Sequence, residues 1–182
     1  MDEPITLSEA KAQLRIDGTA SDAMVTGYIA AAREWIEGET GVLLVEREVT
    51  ETLRVLGPRA SLRSRPINAA EPVRVAYFDR AGAEQVITDA IVINPLAIDV
   101  GAPPPRLALP AAGAWPATNG NYPVTVTFTA GINDPTAIPP VMKAAMMMLI
   151  TAYEASREGG DLIAAAEASA RRLCRQYIRK AL

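Results

Sequence analysis

The chain of 182 residues contains no histidine and one cysteine, Cys174. The first absence removes the commonest general base and the commonest metal ligand together. The second excludes an intramolecular disulfide and, with no histidine, leaves no metal-ligand spacing to find. No apolar run reaches the roughly 18 residues that span a bilayer. Met1-Asp2-Glu3-Pro4 is acidic and has no signal-peptide core behind it. Gly18, Gly27 and Gly38 stand isolated, so there is no phosphate loop and no dinucleotide fingerprint. Lys11, Lys143 and Lys180 lack any Ser–Lys motif. Glu34, Glu37 and Glu39 fall on a helical stretch without calcium-loop spacing. The reading is of a soluble protein made and kept inside the cell, with no cofactor, no metal and no enzymatic activity.

What is present is an ordinary globular balance, 49% hydrophobic and 21% charged, enough to bury a core in one compact domain. The formal charge is −3, but it is unevenly spread. Residues 1–52 carry eleven acids against four bases, whereas residues 161–182 carry five bases against two acids. An acidic head and a basic tail imply surfaces that meet different neighbours.

The local patterns predict an α+β fold. Thr6-Leu7-Ser8-Glu9 reads as a capping box opening a short helix to about Leu14. Ser21 or Asp22 caps a second helix, along which Met24, Val25, Tyr28, Ile29, Ala32, Trp35 and Ile36 recur at helical spacing. Arg33, Glu34, Glu37 and Glu39 fall off that stripe, and Gly41 stops the helix. Residues 5–40 are therefore a helical hairpin with an acidic outer face. From Val42 to Leu56 the composition turns to Val, Leu and Thr, a strand signal. Val73–Phe78, a turn at Asp79–Gly82 and Glu84–Thr88 form a hairpin, while Ala90–Asn94 and Arg106–Leu109 are weaker strands. Tyr122–Thr129 alternates most cleanly, and the middle, about 42–131, is a small β-rich module.

Pro139-Pro140 then opens a helix, and Val141–Tyr153 is apolar nearly all round, including Met146-Met147-Met148. Such a helix needs cover on several sides, from its own β module or from a neighbouring subunit. After Gly159-Gly160 a long terminal helix runs from Asp161 to Lys180. Its apolar stripe is Leu162, Ala166, Ala170, Leu173 and Tyr177, extended by Cys174 and Ile178, and Arg171, Arg172, Arg175 and Arg179 fill another arc. Cys174 among these arginines is a core residue before it is a reactive thiol. A second basic cluster, Arg54, Arg59, Arg63 and Arg65, surrounds the turn at Gly57-Pro58.

Three stretches taken in order resemble a known family. They are Leu7–Arg15 with Asp22 through Ala32-Arg33 to Glu39-Thr40-Gly41; Trp115-Pro116-Ala117-Thr118; and Val124–Gly131 followed by Ile138-Pro139-Pro140 and a helix closing at Tyr153–Glu158. Together, over roughly residues 5–158, the chain resembles the head–tail connector (adaptor) proteins of long-tailed bacteriophages, prophages and gene transfer agents. That resemblance implies a structural role. Such proteins form a ring, usually dodecameric, beneath the portal at the capsid vertex. The ring extends the DNA channel and meets the next ring, a stopper (head-closure) or tail-terminator protein.

On this basis residues 1–160 are expected to form the connector domain and residues 161–182 a portal-docking helix. Leu173, Tyr177, Ile178 and Leu182 are its expected apolar anchors, and Arg171, Arg172, Arg175 and Arg179 its polar ones. Arg54, Arg59, Arg63 and Arg65 are candidates for the rim of a DNA channel, where contact with moving DNA is transient and non-specific. The expected place is the head–tail interface of a virion or virus-like particle assembled in the bacterial cytoplasm, with no membrane partner. A rival reading is a DNA-binding accessory protein using the terminal arginine helix on phosphates. A histidine-free hydrolase comes third.

Overall fold

The computed structural model describes residues 3–57, 60–96, 98, 103–109, 114–156 and 160–178. The chain divides into two compact units, a helical one built from residues 1–45 and 132–182, and a β unit, Glu46–Gly131, inserted within it.

In the helical unit, α1 spans Leu7–Leu14 and opens on the predicted capping box. The Glu9 backbone N–H donates to Thr6 Oγ1 at 3.2 Å, and the Thr6 N–H donates to Glu9 Oε2 at 2.7 Å. The Thr6 N–H and the Thr6 hydroxyl, which also donates to Glu9 Oε2 at 2.7 Å, hold the Glu9 carboxyl below the usual carboxylate range. Helix α2 spans Asp22–Thr40 and buries Val25, Ile29, Ala32 and Ile36 on one stripe. It ends where Gly41 takes the left-handed conformation, φ 69°, and donates to the Glu37 carbonyl.

Two features of α2 differ from the sequence reading. Met24, Tyr28 and Trp35 are only half-buried. Glu37, placed on the polar arc, is buried. Its carboxylate accepts the Leu44 N–H at 2.8 Å and pairs with Arg33 at 3.2 Å. A buried carboxylate needs such partners, and the chain returning past α2 supplies one of them. The same return explains why the predicted strand from Val42 is shorter. Residues 42–45 are buried in the helical unit as an extended segment, and pairing in the sheet starts only at Arg47. Leu43 carries the join: its carbonyl accepts the Ile132 N–H at 3.1 Å.

Helix α3 spans Pro140–Ala155, entered through a 3-10 turn at Pro135–Ala137 that Asp134 caps. It packs on α1, α2 and α4. Met142, Ala145, Met146, Leu149 and Ile150 are fully buried. At about 1.5–3 kcal/mol for each large apolar side chain removed from water, this helix organises the unit. The cover that its sequence demands comes from the three neighbouring helices. Helix α4 spans Asp161–Leu173 and is followed by a turn over residues 174–177, so the helix is shorter than its sequence suggests. Lys180 lies outside the described residues.

The β unit is one antiparallel sheet in the order β1-β5-β2-β3-β4, with β1 Arg47–Leu53, β2 Val73–Phe78, β3 Glu84–Ile93, β4 Arg106–Ala108 and β5 Val124–Ala130. The hairpin β2–β3 turns where predicted. Asp79 Oδ1 accepts the N–H groups of Ala81 and Ala83, at 2.9 and 3.0 Å, and Gly82 supplies φ 84°. The two short strands read at Glu84–Thr88 and Ala90–Asn94 are one strand, β3, carrying an irregularity opposite Val73–Val75. Strand β5 lies between β1 and β2, with Val124, Val126 and Phe128 buried on the inner face.

The segment between β1 and β2 crosses that inner face. Residues 60–62 bond alongside β4, with Leu62 N–H to the Pro105 carbonyl at 2.9 Å and Leu107 N–H to the Ala60 carbonyl at 3.2 Å. The Glu51 carboxylate on β1 accepts the N–H groups of Arg63 and Ser64 at 2.9 and 2.6 Å. Asn68 N–H then reaches the Thr129 carbonyl, and Pro66 receives Gly131 N–H. Leu62, Arg65 and Ile67 are buried along this strap.

Candidate assembly surfaces

Helix α4 packs on α3 through small residues. Ala166, Ala170 and Cys174 are buried, and Tyr177 closes the stripe in the turn beyond. Burial pushes the Cys174 thiol up to about 11, which keeps it protonated and unreactive near neutral pH. The predicted apolar stripe splits in consequence. Leu162 and Leu173 stand exposed, off the buried line, while Tyr177 belongs to the core and Ile178 is half-buried.

The arginines also differ from one another. Arg171 forms a fork on Glu39, Nε to Oε2 at 2.7 Å and Nη2 to Oε1 at 2.9 Å, and its guanidinium carbon lies 5.8 Å from the Trp35 ring centroid. The bonds to Glu39 raise its already high pKa and tie α4 to α2. Sequence reasoning missed Trp35 and Glu39 as partners, because their spacing from Arg171 is not local. Arg172 and Arg175 are exposed and carry no ion pair among the described residues. Arg179 and Leu182 lie outside the described residues.

The second arginine group does not stay together as a surface. Arg54 and Arg63 are exposed, whereas Arg65 is 0% exposed and points into the interior of the β unit. A fully buried guanidinium cannot rim a channel, so Arg65 leaves that set. Arg59 lies outside the described residues. Among the described residues there is no group of three acids or cysteines placed to hold a metal, and no helix long and apolar enough to cross a membrane.

Two surfaces had no counterpart in the reading of candidate sites. The outer face of the sheet exposes Val86, Ile91 and Ile93 to 43%, 50% and 48%. The outward line of α2 consists of small residues around Glu34. Their signal lay in β-strand alternation on β3 and in two glycines inside a helix.

The family model of phage gp6-like head-tail connector proteins matches residues 4–102, more than half of the chain. The chain belongs to that family, whose members are structural connectors and not enzymes. No curated protein matches it in sequence. Among solved structures, a chain of the virion of a native gene transfer agent particle is similar at 22% identity and TM-score 0.71, covering 98% of this chain and 92% of that one. A chain from the neck of an empty gene transfer agent particle, computed with C6 symmetry, gives 21% identity and TM-score 0.73 over 98% and 91%. One from the neck of the native particle, computed with C12 symmetry, gives 24% and 0.69 over 97% and 89%. The α+β layout of the connector fold is thus common to all three.

Proposed function

We propose that the chain is the head–tail adaptor of a tailed phage or gene transfer agent, acting as a ring of twelve copies between the portal and a stopper or tail-terminator ring. The observation that carries this reading is the coincidence of family membership with full-length likeness to chains of gene transfer agent necks, one of them in a twelvefold-symmetric reconstruction. The ring extends the DNA channel and sits at the head–tail interface. The net charge of −3 suits a passage along which DNA slides without being gripped.

Residues 161–182 dock on the portal. The surface they offer is the outward side of α4, with Leu173 as apolar anchor flanked by Arg172 and Arg175. Tyr177 contributes from within, by holding that side in place. Deleting the whole segment would also uncover α3, so the sharper experiment keeps the fold. In a producing strain, Arg172→Glu with Arg175→Glu is expected to yield filled heads without tails and to remove the chain from purified particles. Normal particles from that variant would refute the docking role. The exposure of Arg172 and Arg175 also supports the rival, phosphate binding. It predicts that the isolated chain binds duplex DNA with a steep salt dependence, whereas the adaptor reading predicts weak binding at physiological salt.

A further inference from the structure

Resting on the ring reading, we propose that the outer face of β2, β3 and β4 in one copy receives helix α2 of the next copy, so that these two patches form the side-to-side contact of the ring. The receiving face is apolar at its centre. Ile91 pairs with Ala108, Val86 pairs with Ala76, and all four side chains lie on the face opposite buried Val73, Val75 and Leu107. Val86, Ile91 and Ile93 are left near half exposure on this one sheet face, an apolar surface of the kind that another molecule can cover. Arg106 is paired with Ile93, and Arg74 lies one strand over, on the same face. Both guanidinium groups are exposed, with no partner among the described residues. Glu84, paired with Phe78, lies on this same face at its hairpin end, and Asp89 sits at the irregularity.

The helix has the complementary character. Ala23, Gly27, Ala31, Glu34 and Gly38 follow one exposed line along α2. Glycine in a helix interior weakens the helix, so it calls for a reason. Among the described residues the chain's own packing gives Gly27 none, since a Cβ there would meet nothing within 4 Å. A partner surface lying flat on this line supplies the reason, because missing side chains let it approach closely. Glu34, the one acid in the line, is 72% exposed, and among the described residues its only close cation is Arg33 at 3.8 Å. It is placed to meet Arg74 and Arg106 of the next copy. Two different patches that fit each other make a heterologous contact, the kind that closes a ring by rotation.

Cysteines at Ile91 and Gly27 in one chain test the pairing inside assembled particles, with buried Cys174 left in place. Mild oxidation is expected to give a ladder of covalent oligomers that neither single variant gives. Particles that incorporate the chain yet show no ladder overturn the pairing and leave the ring reading standing. A wild-type chain absent from the neck fraction overturns both. In parallel, Ile91→Glu and Glu34→Arg are each expected to cut incorporation at least tenfold at unchanged circular dichroism. Arg106→Glu added to Glu34→Arg is expected to restore part of it. Wild-type incorporation of folded Ile91→Glu would also defeat the proposal.

Discussion

Helix α3 and strand β3 treat their apolar side chains in opposite ways. The helix is the greasier element, yet three other helices surround it and Met148 is its one large apolar side chain with notable exposure. The strand is shorter and carries Glu84, Gln85, Thr88 and Asp89, yet it leaves Val86, Ile91 and Ile93 near half exposure. An element's hydrophobicity therefore says how much cover it needs, and its neighbours decide whether that need is met within the chain. In this protein the covered element organises the helical unit, and the uncovered one carries the face proposed to meet the next copy.

Substitutions on the two elements sharpen that contrast. The largest effect belongs to α3. Leu149→Ala empties a fully buried site and is expected to cost about 2–5 kcal/mol in urea unfolding; a loss under about 1 kcal/mol would show that α3 is not packed as described. Next comes Gly27→Ala on the open line of α2. With room for the methyl group and no left-handed backbone to strain, it is expected to stabilise the free chain by up to about 1 kcal/mol. A destabilised Gly27→Ala monomer would mean that the line is already covered within the chain. The smallest effect is expected at β3. Ile91→Thr keeps the β-branched shape on an exposed face and is expected to change monomer stability by no more than about 0.5 kcal/mol. A core-sized loss there would erase the difference between the two elements.

Much of the fold was legible where the cause is local. Thr6 and Glu9 cap each other across one turn, Gly41 and Pro140 mark helix ends, and Asp79 with Gly82 makes a two-strand turn. Strand β5 announced itself by alternation, and it is an interior strand of the sheet, paired on both sides. What stayed hidden depends on residues far apart in the chain. The order of the strands, the strap held by Glu51, the burial of Arg65 and the partnership of Glu37 with the Leu44 N–H all arise from chain crossings that no periodicity encodes. The terminal helix was legible as amphipathic. Of its predicted stripe Ala166, Ala170, Cys174 and Tyr177 are buried, while Leu162 and Leu173 are not, because small side chains allow the close approach to α3.

The bond from Ile132 to Leu43 has a consequence for how such a protein can change. The β unit leaves and re-enters the helical unit at two points that this bond holds together, so the helices experience the whole of Glu46–Gly131 as a short bridge between fixed posts. Lengthening or exchanging that cargo alters the closure entropy only slowly, by about 0.6 kcal/mol for each doubling of its length. A lineage can therefore re-tailor the inserted sheet to new surroundings while inheriting the helical frame unaltered.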